Sequence, residues 1–86
     1  KDLIIKNNNG SYILDAKIGI YDVEEELDIE FPEDRDYDTL GGYIYFKLEK
    51  IPDKGEFVRF EDWVFTVMEL SENRIKTVQV NKINEQ

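Results

Sequence analysis

Apolar residues recur along this chain with two periods, and the switch between them lays out the elements. Leu3-Ile4-Ile5-Lys6 is a short apolar run closed by Asn7-Asn8-Asn9-Gly10. Asparagine tolerates left-handed backbone angles and glycine has no side chain to place, so this stretch predicts a hairpin turn. Tyr12, Leu14 and Ala16 then alternate with Ile13, Asp15 and Lys17, which predicts a second strand paired with the first. Val23 and Leu27 stand four apart among Glu24, Glu25, Glu26 and Asp28. That spacing predicts a helix of roughly two turns, entered at Asp22 with Glu25 in capping-box position.

The longest helical signal is Leu40, Ile44, Leu48 and Ile51, spaced to share one buried face. Asp38 or Thr39 supplies the capping oxygen. Pro52 lacks an amide proton and forces Ile51 out of helical angles, so the helix is expected to stop there. Beyond the Pro52-Asp53-Lys54-Gly55 turn the period returns to two. Residues 56–60 form a strand, and Trp63 to Leu70 another, apolar on both sides and expected to be central. Residues 74–83 form the last, more polar strand, expected near an edge because Lys76 and Lys82 discourage further pairing. Asn84-Glu85-Gln86 is expected to fray. The order β-β-α-α-β-β-β predicts an α+β fold with two helices packed on a mainly antiparallel sheet. Residues 1–86 make a single domain without an internal linker.

Gly41-Gly42 falls in the first turn of the second helix, where each glycine costs roughly 1 kcal/mol relative to alanine. The pair has two explanations: close approach of another backbone, or an anion held on bare amides at the helix start. Asp34, Asp36 and Asp38 would repel an anion, which favours packing.

Composition narrows the chemistry. The chain has no cysteine and no histidine. That removes disulfides, thiolate nucleophiles, the usual zinc sites and imidazole acid–base catalysis. Only Ser11 and Ser71 are available as serines, both in expected turns, and no serine triad can be assembled. Carboxylates are plentiful, yet nothing in their order marks two as buried together. No catalytic or metal-binding residue is assigned, cofactor-binding residues stay undefined, and the chain is expected not to be an enzyme.

The net charge of −9 is concentrated in residues 22–38, where ten acids face only Arg35. This balance argues against nucleic acid, whose binding needs basic residues to neutralise phosphates, and against adhesion to anionic membranes. Asp34, Asp36 and Asp38 alternate like the opening of a calcium loop, but Thr39 and Tyr45 occupy its required glycine and glutamate places. No apolar run approaches the roughly 20 residues of a membrane span. The chain opens directly into a strand with no signal peptide, as expected of a soluble domain excised from a larger protein.

Three segments together carry a family resemblance: Phe31-Pro32-Glu33-Asp34, Asp36-Tyr37-Asp38-Thr39-Leu40-Gly41-Gly42, and Ile51-Pro52-Asp53-Lys54-Gly55. With Phe65-Thr66-Val67-Met68-Glu69 and Arg74-Ile75-Lys76-Thr77-Val78 they resemble the CorC/HlyC transporter-associated domain over nearly the whole chain. Two positions depart from the family pattern. Glu49 stands where a glycine is usual before the basic residue of Gly-Arg-Ile-Pro, and Trp63 stands where a small residue is common.

The resemblance implies a cytoplasmic, C-terminal regulatory module of a hemolysin-like or magnesium/cobalt efflux protein of the cell membrane. Its partners would be the CBS pair and transmembrane domains of the same parent, with a homodimer as a further expectation. Tyr43, Tyr45 and Phe46, off the main helical stripe, are candidates to face such a partner. The fold is similar to part of the FAD-binding domain of vanillyl-alcohol-oxidase-type flavoenzymes, so FAD or adenine-nucleotide binding is the alternative function. It rests on fold analogy alone, and no cofactor is expected. Such a ligand would need Gly41-Gly42 for its pyrophosphate and a basic partner, for which only Arg35 lies near in sequence.

Overall fold

A computed structural model describes residues 3–83. The elements are β1 (Ile4–Lys6), β2 (Tyr12–Asp15), α1 (Ile20–Leu27), α2 (Leu40–Leu48), β3 (Phe57–Phe60), β4 (Trp63–Ser71) and β5 (Arg74–Lys82). Their order is the one the hydrophobic pattern predicts. The expected fraying tail lies outside the described residues. One sheet of five strands runs β1-β2-β5-β4-β3, and all four neighbouring pairs are antiparallel. The helices pack on one face. Alternation does the sorting: Tyr12 and Leu14, Val78 and Val80, Phe65 and Val67, and Val58 all point into one core. Ile20, Val23 and Leu27 of α1 and Leu40, Tyr43 and Ile44 of α2 close over them.

The last strand is not near an edge. β5 is the middle strand, pairing Val78 with Leu14 on one side and Val67 on the other. Its polarity comes from Thr77, Gln79 and Asn81, which a sheet covered on one face can leave on the open side. β4 is one place out from the centre, and its second apolar row, Val64, Thr66 and Met68, is only half-buried.

The helix boundaries also differ from expectation. α1 begins at Ile20 with Gly19 as its cap, two residues before Asp22. The cause is tertiary: the Ile20 amide donates to Asp38 O at 2.8 Å and the Leu40 amide to Ile18 O at 3.0 Å. Both helices therefore start from one short antiparallel bridge between Gly19 and Thr39. α2 ends at Leu48, before Pro52 can act. Glu49 takes a left-handed conformation (φ 57°) and its amide donates to Tyr45 O. Ile51 consequently leaves the helical stripe and is exposed, while Pro52 is buried.

Candidate functional site

The start of α2 is where elements from both ends of the chain meet. Thr39 is its cap, and its hydroxyl accepts from the Gly42 amide at 3.1 Å. The Gly41 amide donates to Ala16 O at 3.0 Å, and the Tyr43 amide to Thr39 O at 3.0 Å. With Leu40 bound to Ile18, the first three amides of the helix, Leu40, Gly41 and Gly42, all donate to protein acceptors, and Tyr43 makes the first intrahelical bond. A Cβ on Gly41 would lie 3.2 Å from the Ala16 Cβ and 3.3 Å from its carbonyl oxygen. The glycine thus serves close packing of α2 on the end of β2, the first of its two explanations. An anion on the Leu40, Gly41 or Gly42 amides would have to displace a protein hydrogen bond, which counts against a pyrophosphate seat there.

Beside this contact lies an open groove of about 450 Å³. Gly41 and Gly42 border one side, and the β4–β5 turn the other. Tyr45 spans the two: its hydroxyl donates to Asn73 O and accepts from the Ile75 amide, each at 3.2 Å. Lys17, Arg74 and Lys76 line the groove, with the carboxylates of Asp15 and Glu72. None of these cations was legible as a neighbour of Gly41-Gly42. They arrive through the β2–β5 register, which pairs Asp15 with Thr77 and lets the Ala16 amide donate to Lys76 O. Arg35, the expected basic partner, is engaged elsewhere. It donates to Pro32 O at 2.8 Å and lies over the Tyr21 ring at 5.0 Å.

The three aromatic candidates of α2 separate. Tyr43 is 2% exposed, Tyr45 is half-buried, and Phe46 is exposed while stacking on Tyr37 at 5.2 Å between ring centroids. Tyr43 sits among Phe31, Tyr37, Phe60 and Phe65, and its hydroxyl has no hydrogen-bond partner. Burial pushes the Tyr43 phenol up to about 12, and nearby Tyr37 adds to the rise. Burial raises Tyr37 as well, opposed by Arg35 and helped by Glu24. Glu56 is lowered, first by the Asp53 amide that its carboxylate accepts and then by Lys50 at 3.1 Å.

The acidic segment is mostly exposed, as its composition implies, with one structural exception. The half-buried Glu24 accepts the Phe31 amide at 2.8 Å and so fixes the chain where it leaves α1. Among the described residues no three carboxylates are gathered to hold a metal ion. On the sheet face turned away from the helices, paired positions run Ile5, Ile13, Gln79, Thr66, Phe57 across all five strands. Ile5 and Phe57 are more than half exposed at its two ends.

Residues 5–84 match the CorC_HlyC family, described as a transporter associated domain. The chain belongs to the CorC_HlyC transporter associated domain family. It is 34% identical over 98% of its length to the polyamine export protein of Escherichia coli K12, of which it covers 19%. It is 30% identical over 93% of its length to hemolysin C of Brachyspira hyodysenteriae, covering 30% of that protein. The chain therefore spans less than a third of either curated relative. Among solved structures, it resembles the CorC_HlyC domain of a Xylella fastidiosa Temecula1 hemolysin in complex with Mg++ and Mn++. The TM-score is 0.89 at 25% identity, covering 96% of this chain and 100% of that one. That fold bears out the α+β arrangement of two helices on an antiparallel sheet. CorC_HlyC domains are parts of membrane-associated transport proteins, and no helix among the described residues of this one is long and apolar enough to cross a membrane.

Proposed function

We propose that this CorC_HlyC domain is a non-catalytic regulatory and interaction module of a membrane protein that exports small cations. It works on the cytoplasmic side, through contacts with the CBS and transmembrane domains of its own parent chain. The observation that carries this reading is one of proportion. Over 98% of its length the chain matches only 19% of a polyamine export protein, which supports a module that modulates transport carried by the rest of the parent. The apolar ends of the open sheet face, Ile5 and Phe57, and the exposed Phe46 offer surface for those contacts. The exported ion is a small cation of the inorganic divalent or polyamine kind, in keeping with the names of the relatives.

The test is transport by the full-length parent in membrane vesicles, with this domain present, deleted, or carrying Phe57→Ser. Export of magnesium, cobalt and a polyamine is measured at matched protein levels. The expected result is transport that persists without the domain but with an altered rate or substrate dependence. Unchanged transport in the deleted form would refute the regulatory role.

A further inference from the structure

The groove beside α2 differs in charge from the molecule around it. The chain carries 20 acidic and 11 basic side chains, yet Lys17, Arg74 and Lys76 outnumber Asp15 and Glu72 along this groove. Among the described residues none of the three cations forms an ion pair, although carboxylates are abundant. Of the two groove carboxylates, Asp15 is engaged locally, accepting the backbone amide of Lys17 at 2.8 Å. All three cations are exposed and, although Asp15 and Glu72 share the groove, unpaired, so they contribute little to the fold.

We propose that this groove binds a phosphate-bearing organic anion of about nucleotide size. Its volume of about 450 Å³ falls within the roughly 300–1,000 Å³ of small-molecule sites and far exceeds what a lone phosphate fills. Arg74 brings a planar fork suited to paired phosphate oxygens, and Lys17 and Lys76 bring point charges. Tyr45 brings an aromatic wall already fixed in place, because its hydroxyl is held by Asn73 and Ile75. A planar organic group stacks on such a ring without ordering it first. The helix-start amides take no part, being engaged already. The site therefore differs from a phosphate seat on bare amides, and it stands whether or not the domain regulates transport.

The test is titration of the isotopically labelled 86-residue chain with ATP and, separately, with inorganic phosphate in metal-free buffer at matched ionic strength. The Xylella fastidiosa neighbour is covered to 100% of its own chain, so a unit of this size holds the fold by itself. Saturable amide shifts are expected with ATP at Ala16, Lys17, Gly42 and Arg74 to Lys76. Arg74→Gln and Lys76→Gln should each weaken that binding by roughly tenfold, the loss of one charge-assisted contact. Lys54→Gln, outside the groove, should leave it unchanged. The absence of saturable shifts, or shifts centred away from the groove, overturns the proposal. So does inorganic phosphate binding as well as ATP, since the organic part then contributes nothing.

Discussion

Replacing Gly41 by alanine sets two opposed effects against each other at one Cβ. Gly41 is inside a helix with ordinary angles, so alanine should gain about 1 kcal/mol of helix propensity. Against this, the new methyl would stand 3.2 Å from the Ala16 Cβ and 3.3 Å from the Ala16 oxygen. Apolar contacts are comfortable at about 3.5–4.0 Å, so something must move by a few tenths of an ångström. Ala16 is poorly placed to yield. It is buried, its amide is tied to Lys76 O at 2.9 Å, and its carbonyl accepts the Gly41 amide itself. Overpacking of such a site costs about 1–3 kcal/mol. The net expectation is a loss of about 1 kcal/mol, which lowers Tm by about 4–8 °C in a domain of this size. Urea unfolding followed by Trp63 fluorescence measures it. Pairing the change with Ala16→Gly should recover part of the loss, since that variant removes one of the two close atoms. A Gly41→Ala protein as stable as the parent, or more so, would refute the close-packing account of the glycine pair.

Two further substitutions test the same reasoning elsewhere. Glu49 holds a left-handed angle that costs an L-residue roughly 1–2 kcal/mol, of which glycine's greater freedom in the unfolded chain takes back about 0.4–1 kcal/mol. Glu49→Gly should therefore raise stability by about 0.5 kcal/mol in urea unfolding, and a fall would show that the angle carries no strain. Tyr43→Phe keeps the ring packing and removes a buried hydroxyl without a partner, so stability at neutral pH should be unchanged or rise by up to about 1 kcal/mol. Its pH dependence has a definite sign. The folded phenol is raised to about 12 from an ordinary value near 10, so its contribution is complete below about pH 10 and lost as pH rises towards 12. Melting curves across that window should fall less steeply for Tyr43→Phe, though not flatten, because Tyr37 is raised too. Equal slopes would refute the burial argument.

Glu49 stands at a position that a glycine would occupy without strain. The position closes α2 in the left-handed region, which glycine adopts without cost. Asp28 closes α1 in the same region with φ 60°. Both helices in this chain therefore end on acidic residues in angles that glycine would suit better.

What the sequence determined by itself was local: the elements, their order, a helix cap at Asp38 or Thr39, and the buried side of β2. Each follows from residues within a few positions of one another, where propensity and periodicity act directly. Tertiary structure decided what depends on register between distant segments. It placed β5 in the middle of the sheet, because one-sided cover lets a central strand keep a polar face. It moved the start of α1 to Gly19, because backbone pairing with Thr39 supplied what Asp22 was expected to supply. It also set Lys17, Arg74 and Lys76 beside Gly41-Gly42, an arrangement that exists only once β2 and β5 have paired.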